Sequence, residues 1–198
     1  MTISNILEHW ATIYKPLSHK PEGKLEEQAF FRILDLDEEN IFTRNANLIH
    51  SPCMLHRVVS SGELKSPKQT QVTHQVCFLV KVKDTAQKLG RHDGLKQQQA
   101  TDELMEMCED FISYMIQLRK TQVCPVTGTS FKGEPQLAME ISAIDAESFA
   151  YGVNPFFRGP QWLLADCYWT SIKPLYNFAC GSNGKYIVPE EETSDDNK

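Results

Sequence analysis

Histidine and cysteine stand three residues apart in two stretches of this 198-residue sequence, a spacing found among zinc ligands. The first stretch holds His50, Cys53 and His56, and the second holds His74 and Cys77. Both stretches are typical of β-strands, in which residues i and i+3 point to opposite faces of the sheet. Since at most one residue of each His–Cys pair could reach a common metal, we expect no metal site and no cofactor.

Carboxylates offer a second kind of chemistry. Asp35 or Asp37, taken with Glu63 and Lys65, imitates the set of magnesium-dependent nucleases, in which carboxylates bind the metal and a lysine steadies the attacking water. Glu63 and Lys65 fall in SGELKSPK, a sequence typical of a turn, where little would hold them near Asp35. A magnesium-dependent nuclease therefore stays an alternative of another functional class.

Cys124 lies in the loop sequence VCPVTG and could form a nucleophile pair with a histidine from elsewhere in the chain. No residue beside it is basic enough to lower the pKa of its thiol. The patterns GxGxxG, GxxxxGK[ST], HExxH and GxSxG do not occur, so the sequence gives no support to nucleotide binding or to the common hydrolases. We therefore expect a protein that is not an enzyme.

Composition favours an ordinary globular domain, with 41% hydrophobic and 23% charged residues. We expect one domain over residues 1–180 and a disordered acidic tail over residues 181–198.

The formal net charge is −6, and the last ten residues, five carboxylates against one lysine, carry most of it. The rest of the chain is nearly neutral, which gives no basic footprint for gripping nucleic acid. We expect neither a membrane helix nor a secretion signal, and reduced thiols for the six scattered cysteines.

Two segments place apolar residues at helical spacing. An N-terminal helix that ends before Pro16 is predicted to bury one stripe: Ile3, Ile6, Leu7, Trp10 and Ala11. A long central helix from about Lys96 to Arg119 is predicted to cover a sheet with a second stripe: Ala100, Leu104, Met107, Cys108, Phe111, Met115 and Leu118.

Alternating apolar residues predict five strands, over residues 29–36, 53–60, 71–83, 136–145 and 161–173. The second and third form a hairpin that is longer than the usual five or six residues, so we expect it to project. The fold class is therefore α+β, a mostly antiparallel sheet with a long projecting β-hairpin, packed by the N-terminal helix and the long central helix.

The register of the hairpin decides which side chains share a face of the sheet. If Ser60 pairs near Gln71, three residues of the first strand join Val76 and Phe78 on the apolar face: Cys53, Leu55 and Val59. The opposite face is then half apolar, and a face of this kind usually meets another protein. Its apolar residues would be Met54, Val58, Cys77, Leu79 and Trp169.

The order of these elements, over about residues 1–175, resembles that of the tail terminator (tail-completion) proteins of long-tailed bacteriophages and related injection machines. The opening ILEHWATIYKPLSHKP and the segment SPCM are also similar to uncharacterised proteins of phage-like tail gene clusters. The resemblance implies a non-enzymatic ring, typically a hexamer, that ends tube polymerisation and joins the tail to the neck. Its partners would be copies of itself and the tail tube and neck proteins, with DNA only as cargo.

The resemblance further implies a protein made in the host cytoplasm and located in the tail or neck of the virion, away from membranes. A head–tail connector, neck protein or baseplate adaptor is an alternative within the same class. We expect subunit or tube contacts at the hairpin and at the aromatic segment that precedes the last strand: Arg57, His74, Leu79, Lys81, Phe156 and Phe157.

Overall fold

A computed structural model describes residues 2–33, 48–66, 69–81, 94–142, 144, 149–154 and 162–174. The helices are α1 (Ile3–Ile13), α2 (Gly94–Thr121) and α3 (Pro135–Ser142), with short 3-10 turns at Leu25–Glu27 and Phe131–Gly133. The strands are β1 (Phe30–Ile33), β2 (Cys53–Ser66), β3 (Gln69–Lys81), β4 (Ala150–Asn154) and β5 (Trp162–Pro174). The acidic tail expected over residues 181–198 lies outside the described residues.

The five strands form one sheet in the order β1-β2-β3-β5-β4. Three of the four pairings are antiparallel, and only β1 runs parallel to β2. Parallel neighbours need a long connection between them, and residues 34–52 supply it. The sequence prediction of an α+β fold with a mostly antiparallel sheet is therefore confirmed.

Both helical stripes predicted from the sequence are buried. Thr2 caps the start of helix α1, and its backbone N–H donates to Asn5 Oδ1 at 3.1 Å. Helix α2 ends with Arg119 and Lys120, which complement the negative end of the helix dipole. The two helices cover the same face of the sheet, since the Trp10 ring lies 5.3 Å from Phe111 of α2 and 5.9 Å from Phe78 of β3.

The predicted hairpin register is wrong by one residue over the first half of β2. Met54 pairs with Phe78 and His56 pairs with Val76, so Met54 and His56 lie on the helix-covered face. Cys53 and Leu55, which the sequence prediction placed there, face the other way. A one-residue shift moves every side chain of a strand to the opposite face, because the side-chain period is two.

The half-apolar outer face expected from that register is consequently not the one observed. Met54 and Trp169 are fully buried on the helix-covered face, and Cys77 and Leu79, on the opposite face, are buried as well. The segment before β2 closes over part of that opposite face, because Ile49 is buried and its carbonyl accepts from Lys81 Nζ at 2.6 Å.

The strand predicted over residues 136–145 is also wrong, because helix α3 occupies most of this segment. Pro135 stands at the first helical position, where its missing N–H costs nothing. The buried residues recur at helical spacing at Leu137, Ile141 and Ile144. The penultimate strand is instead β4, which the sequence prediction treated as a connection; it is only five residues long and contains Gly152.

Strands β2, β3 and β5 continue past the part of the sheet that the helices cover. The segment predicted as a turn belongs to β2 as far as Ser66, and β5 pairs with β3 from Lys81↔Trp162 to Gln69↔Pro174. Among the described side chains, burial ends at His74 on β3 and at Trp169 on β5. We call the backbone beyond these points, residues 58–66, 69–73 and 170–174, the sheet extension.

The aromatic contact between the helices and the sheet is expected to dominate the free energy of unfolding. Phe111 is fully buried against Trp10, Phe78 and Trp169, so Phe111→Ala should lower this free energy by about 3–5 kcal/mol in urea denaturation. Ile13→Ala is the matched control, because this side chain is 56% exposed and its loss should cost less than about 0.5 kcal/mol. Equal effects from the two substitutions would contradict this account of the core.

Candidate functional site

A chain of polar side chains runs from helix α1 into the sheet beneath it. Ser4 Oγ in the first turn of α1 lies 2.8 Å from His56 Nδ1 on β2. His56 Nε2 lies 3.4 Å from His74 Nδ1 on β3. The His74 ring stacks on Trp169 of β5, with 4.9 Å between the ring centroids. This histidine chain therefore joins α1 to three neighbouring strands.

The backbone pairing explains why the two histidines meet. Val58 pairs with His74 and His56 pairs with Val76, so the two imidazoles are diagonal neighbours on one face of an antiparallel pair. Trp169 pairs directly with His74 on the next strand and continues the row.

Burial keeps His56 neutral. Desolvation lowers the pKa of His56 to about 3, and the nearby His74 and Arg32 act in the same direction. Arg32 is itself paired with Glu8 of α1, so its positive charge stays close to the histidine chain. An uncharged His56 can be buried because both of its ring nitrogens lie within reach of polar neighbours.

A third buried histidine lies beside this chain. Among the described residues, the buried polar or charged residues are His19, His56 and His74. The backbone N–H of Ala29 donates to His19 Nδ1 at 3.0 Å, while His19 Nε2 lies 3.8 Å from Glu8 Oε1. Burial lowers the pKa of His19, although the carboxylate of Glu8 opposes this shift.

A hydroxyl next to an imidazole resembles the start of a nucleophile–base arrangement. A useful general base needs a pKa near the working pH, and the pKa of His56 is about 3. At neutral pH this imidazole is too weak a base to take the Ser4 proton. The arrangement therefore acts as a neutral hydrogen-bonded contact between helix and sheet.

A second polar cluster lies on the opposite face of the sheet. The Cys77 thiol donates to Asp166 Oδ1 at 2.7 Å, and the Gln75 amide donates to the same oxygen at 3.1 Å. Gln75 also donates to the Tyr168 hydroxyl at 2.9 Å. These bonds tie β3 to β5.

The described cysteines are all buried, including Cys124, the candidate nucleophile. Its backbone N–H donates to Thr129 O at 2.7 Å, which closes the loop that follows α2. Burial raises the pKa of the Cys108 thiol to about 12 and raises the pKa of Cys53 and Cys167 as well. Buried thiols of this kind pack as small core residues.

The structure separates the residues expected to make interactions. Arg57 is exposed on the face opposite the helices, whereas His74 and Leu79 are buried within the chain on different faces. Lys81 is half-buried and bonded to the carbonyl of Ile49. Buried side chains offer no contact surface in this conformation, so Arg57 is the most accessible of these four. Phe156 and Phe157 lie outside the described residues.

The structure describes the candidate metal ligands but only part of the candidate nuclease set. Cys53 and Cys77 point away from His56 and His74, as the strand geometry predicted, and no group of three or more metal-binding side chains occurs in the part of the chain that the structure describes. Asp35 and Asp37 lie outside the described residues. The backbones of Glu63 and Lys65 belong to β2 and not to a turn.

An open groove of about 420 Å³ separates the end of α1 from the middle of α2. Glu103, Glu106 and Asp110 line it together with Lys15 and Tyr14. The Tyr14 hydroxyl donates to Asp110 Oδ2 at 2.8 Å and so links the two helices. Burial and the neighbouring Glu106 raise the pKa of Glu103.

Sequence reasoning placed His56 and His74 on adjacent strands but missed their contact, because the predicted register put them on opposite faces. The correct pairing of Val58 with His74 would have brought them together. Ser4 gave no such signal, since only the packing of α1 on the sheet brings its hydroxyl to His56.

Comparison with known proteins adds no relative: the sequence matches no protein-family model and no curated protein. None of the helices in the described ranges has the combination of length and apolar character that crossing a bilayer requires.

The buried thiols should resist alkylation in the native protein. With iodoacetamide at pH 7.5, the peptides that contain Cys53, Cys108, Cys124 and Cys167 should react at least about 100-fold more slowly than in guanidinium, because burial blocks access to all four thiols and also disfavours the thiolates of Cys53, Cys108 and Cys167. Time-resolved peptide mass spectrometry measures these rates. Alkylation of native Cys108 or Cys124 at the unfolded rate would contradict their placement.

Proposed function

We propose that this chain is a structural assembly protein whose copies form a ring, of the kind that terminates a phage-type tail tube and joins it to the neck. The sheet extension carries the proposal, because three strands run past the helix-covered core together. A monomeric domain gains little from such an extension, whereas an assembly subunit can place it against a neighbouring copy.

Both margins of the extension lack a neighbouring strand among the described residues. Strand β1 pairs with β2 from Met54 to Arg57, and from Val58 onward the outer edge of β2 has no partner strand among the described residues. Strand β4 pairs with β5 up to Tyr168, and from Trp169 to Pro174 the outer edge of β5 has no partner strand in the part of the chain that the structure describes. Open strand edges present backbone N–H and C=O groups that can pair with another chain.

The directions of these two edges suit a head-to-tail contact. Strands β2 and β5 are both antiparallel to β3, so they run parallel to each other. The β5 edge of one copy can therefore lie beside the β2 edge of the next copy, with every copy in the same orientation. A contact between two different surfaces of this kind closes into a ring when its rotation closes. A register shift between Val59 and Glu63 bends the β2 edge, which sets the angle of such a contact.

Two further observations support this proposal. The described fold contains a leading helix, a long hairpin, a covering helix and two later strands, although helix α3 stands where the resemblance expects the first closing strand. Outside its last ten residues the chain is nearly neutral, which suits a lumen through which DNA passes without binding. The partners would be copies of the chain, the tail tube and the neck proteins, and the location would be the virion.

The proposal predicts closed rings of the purified full chain at high concentration, seen by light scattering after size exclusion and by negative-stain electron microscopy. Rings that bind and cap tail tubes support the terminator function. Rings that bind only portal or baseplate proteins point to a connector or adaptor instead. A protein that stays monomeric both alone and with assembled tubes contradicts the proposal.

Shortening the sheet extension should abolish the ring without unfolding the subunit. Replacing residues 60–72 by Asn-Gly, a two-residue turn that suits hairpins, joins the observed Val59↔Thr73 pair directly. We expect cooperative thermal unfolding to persist and self-association to weaken at least about 100-fold, since the edges that supply the intermolecular hydrogen bonds are removed or left unsupported. Val126→Ser, an exposed substitution in the loop after α2, should leave assembly unchanged. Assembly of the shortened variant at the wild-type concentration would contradict the role of the extension.

A further inference from the structure

We propose that His19, His56 and His74 form an acid-sensitive clasp, which holds the N-terminal segment, residues 2–29, on the sheet at neutral pH and releases it in acid. This inference concerns the attachment of α1 and is independent of the proposed ring.

The His19 contact requires an unprotonated ring nitrogen, whereas a charge on His56 is opposed by its burial and by the nearby Arg32. His19 Nδ1 accepts from the Ala29 N–H, so a proton on this nitrogen would end that hydrogen bond. Both ring nitrogens of His56 are already engaged, one by Ser4 and the other by His74. The contact of 3.4 Å between His56 and His74 holds one shared proton, and protonating both rings would place two like charges side by side.

The charged groups around the clasp come from several elements. Arg32 on β1 opposes a positive charge on His56, and His50, which precedes β2, opposes one on His19. Glu8 on α1 favours a positive charge on His19, but the burial of that ring outweighs it. Trp169 of β5 stacks against His74, and Phe111 of α2 packs on Trp169. These two aromatic rings carry no counter-charge, and their faces attract a cation less strongly than a carboxylate would.

The sign of the pH dependence follows from these positions. The pKa values of His19 and His56 lie below their ordinary value of 6.5, so the released segment binds protons before the docked segment does. Docking is therefore at full strength above pH 6.5 and weakens as the pH falls below it. Each such histidine increases the released fraction by about tenfold per pH unit below 6.5, until the pKa of the docked form is reached.

The contacts that acid weakens are concentrated on the N-terminal segment. Ser4, Glu8, His19 and Ala29 all belong to it, whereas the buried stripe of α2 consists of apolar residues and Cys108. We therefore expect the N-terminal segment to open before α2 does. Its release would expose the apolar stripe of α1 to solvent or to a partner.

Hydrogen exchange of the full chain at pH 7.5 and pH 4.5, corrected for intrinsic rates, tests the clasp. Relative to amides in residues 104–118, amides in residues 3–13 should lose at least about 100-fold of their protection at pH 4.5, the effect of one such histidine over two pH units. Loss of protection in both regions together, or in neither, would overturn the proposal.

Variants show whether the histidines cause the release. In the double variant His56→Asn with His74→Asn, α1 should stay at least tenfold better protected at pH 4.5 than in the wild type. His9→Gln, on the same helix but outside the clasp, should behave as the wild type does. An unchanged loss of protection in the double variant would overturn the proposal.

If the double variant fails to fold, the wild-type imidazole resonances still decide. While α1 is protected, the His56 signals should show no titration between pH 7.5 and pH 5.5, and the His19 signals should titrate below the ordinary value of 6.5. Titration of both rings near pH 6.5 with α1 still protected would refute the clasp.

Discussion

The pairing of β3 with two neighbours is the interaction on which the rest of the molecule depends. It joins β2 on one side and β5 on the other, and its pairing with β5 covers its whole length from Gln69 to Lys81. The alternation along this strand assigns His74, Val76 and Phe78 to the helices and Cys77 and Leu79 to the opposite face. Because every cross-strand neighbour follows that assignment, the core and the polar clusters are consequences of one register.

The polar side chains buried in the described core are neutral histidines. Three histidines are buried where a carboxylate or an ammonium group would have needed a partner of opposite charge. Ser4 Oγ shares a hydrogen bond with His56, and the Ala29 N–H donates to His19, so these rings are held without a net charge although His19 Nε2 has no hydrogen-bond partner among the described residues. The use of buried imidazoles also makes the attachment of the N-terminal segment sensitive to acid, because an imidazole that reaches solvent is readily protonated.

The sequence predicts the helices better than it predicts which residues of neighbouring strands pair. The stripes of α1 and α2 were fully recovered, since helical periodicity depends on the local chain alone. The register of β2 against β3 was missed by one residue, because neither strand encodes its partner's position and the turn between them was placed too early. The sequence wrongly predicts a strand over residues 136–145, because a short apolar segment such as the one with Leu137 and Ile141 fits both the helical period and the strand period.

The candidate site is likewise only partly predictable from the sequence. His56 and His74 were recognised as chemically able residues on adjacent strands, and the argument that each faces away from its neighbouring cysteine is confirmed. Their contact with each other, and with Ser4, is a product of tertiary packing that local sequence cannot specify.

The stacking of His74 on Trp169 has a practical consequence. A protonated imidazole quenches indole emission far more than a neutral one, and these two stacked rings are nearly parallel, with 4.9 Å between their centroids. Trp10 stands on the other side of the same aromatic cluster, within α1. Intrinsic tryptophan fluorescence therefore reports both the charge on the His74 ring and the packing of α1 on the sheet, and no added dye is needed.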